Sequence, residues 1–488
     1  MGLAFIPLYI KYLGIESYGL IGLFGVLQAW LSLLDMGMTP TLNREMARFT
    51  GGIHSAKSIR DLLRSIEFIA IGIAMLVGLG IWAASGWLAS DWLRAEKIPI
   101  STVAQAFSIM GAVTALRFVE GIYRSAIVGQ QRQVLFNAIN SALATLRGFG
   151  AVGILMWLSP TIKAFFIWQG IISLITLGVL ASATYQALPK AERCGQFSMP
   201  ALRGIGRFAC GMVGITLLSL LLTQVDKILL SKLLTLSEYG YYTLATVVSS
   251  SLYMLTGPIT QAWFPRLSEL HANNRQDELI EKYHQGAQLV SVFMGSAAIV
   301  LLVFAKTVLQ LWTHNADLAN RSATLLSLLA LGNLLNGLMW IPYQTQLAHG
   351  WTSLAARTNI ISVAIIVPAI LWATPLYGAE GAAWVWVSLN AGYVMISMHF
   401  MFRKILTGEK WRWYRQDVLQ PIIVAALLAK LLAWAMPAEL TYYYKLAWLL
   451  TASTLTLLAT AFSATYVRQG LLGQLRILFK ISWISKTV

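Results

Sequence analysis

One apolar segment carries two arginines and a glutamate whose spacing is typical of a binding face. Arg117, Glu120 and Arg124 are separated by three, four and seven residues, which places them on the same side of a helix. Arg147 lies in the middle of the next apolar segment. Arginine guanidinium groups bind phosphate oxygens through paired hydrogen bonds. Since Glu120 is the only acid in this stripe, the pattern predicts an anion-binding site on two neighbouring helices.

Other polar residues in the apolar segments fall into two groups. The charged ones are either cavity residues or, alternatively, ion pairs that hold helices together and anchors at the membrane edge. They are Asp35, Arg44, Asp226, Lys227 and Arg357. The ion-pair alternative also applies to Glu120, and the anchor alternative also applies to Arg124. A second group, of amides and aromatic residues, suits sugars. It comprises Asn333, Asn336, Trp340, Tyr343, Gln344 and Gln346. Arginines on one wall of a path and this group on the other would suit an anion attached to sugars.

The sequence contains no motif for catalysis. There is no GxxxxGK[ST] loop and no HExxH pair, and the two cysteines, Cys194 and Cys210, lack metal-ligand spacing. The longest loop predicted outside the membrane, residues 90–103, is too short to hold an active site. We therefore expect a transporter rather than an enzyme, with no cofactor and no metal.

The composition indicates an all-α integral membrane protein. Of 488 residues, 57% are hydrophobic and 11% are charged, whereas soluble domains carry about 25% charged residues. The apolar residues form runs of about 20, long enough to cross a bilayer as helices, whereas barrel strands are shorter and alternate. Fourteen segments are predicted, of which the first is too short to span. They are residues 1–13, 18–43, 65–90, 104–128, 133–158, 162–188, 207–234, 239–264, 284–312, 322–348, 354–376, 379–402, 418–436 and 443–466.

The net charge of +16 reflects topology rather than nucleic-acid binding. If the amino terminus is cytoplasmic, 24 Lys and Arg residues lie in the inside loops and the carboxyl tail, and 7 lie in the outside loops. Positive charge concentrates on the cytoplasmic side of membrane proteins. We therefore expect both termini in the cytoplasm, a lipid bilayer around the chain and no nucleic-acid partner.

The chain repeats itself. A shift of 221 residues aligns Tyr18-Gly19 with Tyr239-Gly240 and Gly111 with Gly332, and the breaks agree over six segments. An even number of segments per repeat gives two parallel six-helix bundles, with the substrate path expected between them. The predicted divisions are residues 1–188, 203–403 and, for two extra helices with a basic tail, 404–488. By the repeat, the first helix lacks roughly its first 15 residues, so we expect it to be truncated.

Three stretches resemble the Wzx-type polysaccharide flippases of the multidrug/oligosaccharidyl-lipid/polysaccharide exporter superfamily. They are LGIESYGLIGLF, LLDMGMTPTLNREMAR and TQVDKILLSKLLTLSEYGYY. The resemblance covers almost the whole chain, although its motifs are loose and the short first segment departs from it. Asp35, Arg44 and Asp226 match the family pattern. The resemblance implies transfer of an undecaprenyl-pyrophosphate-linked oligosaccharide across the bacterial inner membrane for O-antigen and other lipopolysaccharide synthesis, with a polysaccharide polymerase as a candidate partner.

Three alternatives remain. A multidrug antiporter of the same superfamily would bind cations against acids, whereas the buried charge here is rich in arginine. A peptidoglycan-precursor flippase would also have fourteen spans. A membrane polymerase or ligase would carry a long outside loop with catalytic residues, which this sequence does not have.

The carboxyl tail gives a first testable prediction. Residues 467–488 place Arg468, Arg476, Lys480 and Lys486 among large apolar residues, a pattern typical of an amphipathic helix on the membrane surface. A cysteine at Ser485, in a variant without Cys194 and Cys210, should resist an impermeant thiol reagent added to intact cells and react after permeabilisation. Labelling before permeabilisation would contradict the predicted topology.

Overall fold

The computed structural model describes most of the chain as helix. The described residues are 2–35, 37–189, 195–199, 217–218, 220–437, 439–470 and 472–473. The helices are α1 (Gly2–Leu34), α2 (Met38–Thr50), α3 (Ala56–Trp87), α4 (Ile100–Gly129), α5 (Gln133–Trp157), α6 (Ile162–Ala187), α7 (220–233), α8 (Leu236–Ser250), α9 (Tyr253–Ala272), α10 (Gln276–Val303), α11 (Ala305–Thr313), α12 (Ala316–Leu338), α13 (Trp340–Ala348), α14 (Ser353–Gly392), α15 (Met398–Lys404), α16 (Lys410–Arg412), α17 (Gln420–Trp434) and α18 (Tyr442–Ser463). The predicted tail helix lies, from residue 474 onward, outside the described residues.

Ten helices of the described part are long and apolar enough to cross a membrane. Two of them each consist of two helical segments separated by a break. The backbone of α1 leaves the helical conformation at Gly14 (φ 80°) and that of α14 does so at Gly378 (φ 59°), values that glycine adopts without steric cost. Dividing these two helices, and adding α7 and the pair α8–α9, accounts for the fourteen predicted segments.

Several segments predicted as continuous are broken. The second segment stops after α1 and resumes as α2, with Gly37 in the left-handed conformation between them. The eighth and tenth segments break between α8 and α9 and at Met339 between α12 and α13. Since these breaks fall in the second, eighth and tenth segments, both copies of the repeat contain interrupted helices.

The chain forms two compact units, Met1–Gly240 and Tyr241–Val488. In the first, α2, α3, α4 and α6 surround a core whose fully buried members include Met46, Ile66 and Ile122. In the second, α9, α10, α12 and α13 enclose another core around Tyr283 and Met294. The two lobes predicted from the repeat begin and end elsewhere, and those bounds stay a prediction.

A buried polar network attaches the extra helices to the second unit. His284 of α10 is fully buried, and its Nδ1 contacts Asp417, which precedes α17. Its Nε2 lies 2.9 Å from Glu409. Gln288, one turn further on, donates to Asp417 and accepts from the backbone N–H of Tyr466 just beyond α18. Because buried polar groups need partners, this network fixes how α17 and α18 pack on α10.

The two Tyr-Gly pairs of the repeat cross each other inside the first unit. Tyr18 and Tyr239 are both almost completely buried. A Cβ atom on Gly19 would lie 2.7 Å from the carbonyl oxygen of Leu236, and one on Gly240 would lie closer still to the carbonyl oxygen of Ile15. The same 221-residue shift relates Ile15 to Leu236 and Gly19 to Gly240. The contact is therefore reciprocal, as in a two-fold interface between identical surfaces.

This crossing predicts that alanine is not tolerated at either glycine. Gly19→Ala and Gly240→Ala each place a methyl group against a backbone carbonyl, and overpacking of this kind costs about 1–3 kcal/mol. Gly25→Ala is the matched control, because it lies in the same helix as Gly19 and nothing lies within 4 Å of its new methyl group. Thermal unfolding in detergent measures the effect. An unfolding temperature for Gly19→Ala equal to that of Gly25→Ala would contradict the close crossing.

Candidate functional site

The predicted arginine stripe forms a polar cluster between α4, α5 and α6. Arg147 Nη2 of α5 lies 3.9 Å from Glu120 Oε2 of α4, and the two side chains are 25% and 18% exposed. The same Nη2 lies 3.4 Å from the hydroxyl of Thr176 in α6. Although Arg117 is one turn from Glu120 in sequence, the ion pair of Glu120 in the described residues is therefore made with Arg147.

Arg117 is held by α6 instead. Its Nη2 donates to Gln169 Oε1 over 2.8 Å and its Nε donates to the hydroxyl of Ser173 over 3.2 Å. Its guanidinium lies 4.9 Å from the ring centre of Phe24 in α1. These contacts fix the plane of the guanidinium while using two of its five N–H groups. The positive charge is therefore positioned and partly desolvated, without a salt bridge to any residue that the structure describes.

Two atoms of the cluster have unused hydrogen-bonding capacity. Glu120 Oε2 and Arg147 Nε are buried and make no hydrogen bond within the described residues. Such groups cost about 1–3 kcal/mol each when left unpaired. One is a donor that suits an anion, and the other is an acceptor that suits a hydroxyl. A ligand carrying both a phosphate and sugar hydroxyls would satisfy them together.

Arg124 does not join the cluster directly. Its side chain is exposed, and its guanidinium lies 5.2 Å from the ring centre of Phe136 at the start of α5. It lies one helical turn beyond Glu120 on the same face. It thus adds positive charge next to the cluster, where an anion would approach.

Asp35 closes the break between α1 and α2. Its carboxylate accepts from the backbone N–H of Thr39 over 3.1 Å and from the Thr39 hydroxyl. The carbonyl of Thr39 in turn accepts from the hydroxyl of Ser125 in α4. This arrangement satisfies a free N–H at the start of α2, as capping side chains do. Asp35 thus has a local structural role as a helix cap, which differs from the ion pair that the sequence left open as its alternative.

Arg44 belongs to a charged group further along α2. It is exposed, and its Nε lies 3.9 Å from the buried carboxylate of Glu45. Arg48 and His54 bind the same carboxylate at 3.1 and 2.6 Å. Burial alone would raise the pKa of Glu45, but the hydrogen bonds from His54 and Arg48 outweigh burial and lower it. Arg44 is therefore part of a cluster that stabilises one buried acid.

The remaining predicted charges have surroundings of their own. Lys227 Nζ lies 3.6 Å from Asp226 Oδ1, within α7. Arg357 is exposed in the first turns of α14 and lines a large groove of the second unit. Within the first unit, the structure thus brings together Arg117, Glu120 and Arg147.

The amide and aromatic residues form a cavity of about 320 Å³ in the second unit. Asn336, Trp340, Tyr343, Gln344 and Gln346 line it. Behind them, the hydroxyl of Tyr253 lies within hydrogen-bonding distance of Oδ1 of both Asn333 and Asn336, and its ring stacks on Trp340. Ordered amides and an aromatic platform are suited to sugars, whose hydroxyls need partners and whose faces are apolar.

Sequence reasoning missed two sets of buried polar residues. The first is the His284 network described above, and the second is Glu67 of α3, which accepts from the hydroxyl of Tyr185 at 2.7 Å and from Arg64 at 3.1 Å. Each involves charged or polar residues at the edge of an apolar segment. That position was a usable signal. The distant partners could not be read from spacing, since Tyr185 is 118 residues from Glu67 and Asp417 is 133 residues from His284.

The fold is that of a membrane transporter. A solved structure described as "Lipid II flippase MurJ, inward closed conformation" matches with a TM-score of 0.70 at 11% identity, covering 96% of this chain and 97% of that chain. An inward-facing multidrug resistance MATE family transporter of the MOP superfamily matches with a TM-score of 0.63 at 11% identity, covering 83% and 95%. At these identities the likeness concerns the fold.

Sequence comparison identifies the family. A family described as "Polysaccharide biosynthesis protein" matches residues 12–315, and the chain belongs to it. A Shigella flexneri protein described as "Putative O-antigen transporter" is 21% identical over 376 residues, which are 77% of this chain and 87% of the relative. These findings confirm the resemblance to polysaccharide flippases and the all-helical membrane fold predicted from the sequence.

The capping geometry gives a prediction that separates the two roles of Asp35. Asparagine also caps helices, so Asp35→Asn should keep the unfolding temperature, whereas Asp35→Ala should lose about 0.5–2 kcal/mol. Thermal unfolding measures stability, and surface glycan measures function. If Asp35→Asn is as stable as the wild type yet inactive, the charge of Asp35 is required beyond its cap.

Proposed function

We propose that this protein moves an undecaprenyl-pyrophosphate-linked oligosaccharide across the bacterial inner membrane by alternating access, for lipopolysaccharide or another surface polysaccharide. It acts as a transporter rather than a catalyst. Both termini lie in the cytoplasm, and a polysaccharide polymerase takes up the product on the other side.

The arrangement of Arg117, Glu120 and Arg147 is the observation that carries this proposal. The cluster holds two arginines and one acid within long apolar helices. Arg147 Nε and Glu120 Oε2 are buried without hydrogen bonds in the described residues. A pyrophosphate diester has about two negative charges, and a hydrogen bond to a charged group contributes about 1.5–3 kcal/mol. The surplus positive charge therefore matches a pyrophosphate better than it matches a cationic drug.

The amide and aromatic cavity supports the sugar half of the proposal. It is independent of the arginine cluster, since it lies in the second unit. A lipid-linked peptidoglycan precursor would present the same pyrophosphate and also sugars. The identity of the glycan therefore distinguishes the proposed function from that of a peptidoglycan-precursor flippase.

The test is a set of variants in cells that lack the endogenous gene. Arg117→Ala and Arg147→Ala should each reduce surface glycan about tenfold or more, because each removes a charged hydrogen-bond donor. Arg147→Lys should restore it partly at best, since lysine keeps the charge and loses the planar fork. Arg275→Gln is the control, because Arg275 is exposed and pairs locally with Glu278. Immunoblotting of membranes checks protein level.

A double variant separates binding from structure. Arg147→Ala leaves Glu120 without its ion-pair partner. The double variant Arg147→Ala/Glu120→Gln removes this unpaired carboxylate, and it should still be inactive. Arg117→Ala/Glu120→Gln should also stay inactive. Normal surface glycan in either double variant would mean that the arginine only balanced Glu120, and the anion site would be refuted. Raised drug resistance without glycan export would instead favour the antiporter.

A further inference from the structure

A long groove runs between the two halves of α14. The helix turns back on itself at Gly378, and residues from both halves line a cavity of about 860 Å³. Its walls are mostly apolar, with Ile361, Ile365 and Trp372 on the first half and Trp384 on the second. From residue 354 to residue 377 the first half is roughly 35 Å long. This length is close to the ~30 Å thickness of the hydrocarbon core.

The two ends of the groove carry opposite charges. Arg357 lines it in the first turns of α14, and Glu380 lines it just after the turn at Gly378. An anionic head group is attracted by the first end and repelled by the second. A lipid in the groove is therefore oriented, with its phosphate at Arg357 and its chain running toward Gly378. Arg357 belongs to the end that the distribution of basic residues assigns to the cytoplasm.

The groove and the amide and aromatic cavity share a wall. Leu354, Thr358, Tyr393 and Ser397 line both. Arg357 lines the groove itself, within one helical turn of Leu354 and Thr358 of the shared wall. Both cavities fall in the ~300–1,000 Å³ range of ligand sites. An apolar groove with a cation at one end thus adjoins a sugar-compatible pocket, an arrangement that matches a lipid, a phosphate and a sugar.

We infer that this composite site in the second unit binds a polyprenyl-phosphate-linked sugar. The prenyl chain occupies the groove, the phosphate adjacent to the chain contacts Arg357, and the first sugar lies against Trp340 in the polar cavity. This inference rests on the proposed function for the identity of the cargo. A membrane phospholipid would fill the groove without using the sugar pocket, and the experiment is designed to detect that outcome.

Photo-crosslinking of the full-length protein in nanodiscs tests which lipid occupies the groove. p-Benzoylphenylalanine replaces Ile365, which lines the groove, or Leu371, which is exposed on the same helix and does not line it. The nanodiscs contain phosphatidylglycerol in excess and radiolabelled undecaprenyl phosphate. We expect the ratio of prenyl to phospholipid adducts at Ile365 to exceed that at Leu371 about tenfold, the ratio that corresponds to about 1.4 kcal/mol. Equal ratios, or phospholipid adducts alone at Ile365, would overturn the inference.

The placement of the phosphate is tested by removing the charge of Arg357. Arg357→Gln should lower crosslinking of undecaprenyl phosphate at Ile365 about tenfold, since a charged hydrogen bond is lost. Crosslinking of undecaprenol, which lacks the phosphate, should stay unchanged, and this shows that the variant is folded. Unchanged crosslinking of undecaprenyl phosphate would overturn the role of Arg357. Because this readout needs no export, its failure is distinguishable from a failure of the Arg117 and Arg147 variants.

Discussion

The reciprocal crossing of Tyr18-Gly19 and Tyr239-Gly240 is the constraint on which the rest of the first unit depends. Each glycine admits a backbone carbonyl of the other copy at a distance that any side chain would prevent. The crossing is locked on one side by Glu16, whose carboxylate accepts from the backbone N–H groups of Glu96 and Lys97. Helix α7, which precedes Leu236, is also held in place, because Trp92 Nε1 donates to the hydroxyl of Ser231 over 3.1 Å.

This crossing helps to set the geometry of the polar cluster formed by Arg117, Glu120 and Arg147. The second half of α1 runs from the crossing and brings Phe24 against Arg117. The break at Asp35 then sends α2 along α4, and the Thr39 carbonyl meets Ser125 on that helix. With α4 held on this side, Gln169 and Ser173 of α6 orient Arg117 from the other. Arg117 is therefore positioned by uncharged partners, whereas Arg147 pairs with Glu120, so the cluster keeps a net positive charge to meet a ligand.

Hydropathy and the repeat predicted the apolar segments well, because the turns at Gly14 and Gly378 fall between predicted segments. They could not predict the break at Asp35–Gly37, because it depends on a local cap rather than on polarity. Residue spacing could not predict the ion-pair partner of Glu120 either. Arg117 is nearer in sequence, but Gln169 and Ser173 engage it, so Arg147 of the next helix forms the ion pair. The groove at Arg357 could not be predicted from the sequence either, because its two walls come from the two halves of α14.

Transfer of a lipid-linked oligosaccharide in proteoliposomes tests the central claim most directly. Undecaprenyl-pyrophosphate-linked oligosaccharide is placed in one leaflet, and its appearance in the other is followed by accessibility to an added glycosidase. The account predicts transfer by the wild-type protein and by Arg275→Gln, and loss of transfer in Arg147→Ala/Glu120→Gln. Equal transfer by that double variant and the wild type, or no transfer by the wild type, would contradict it.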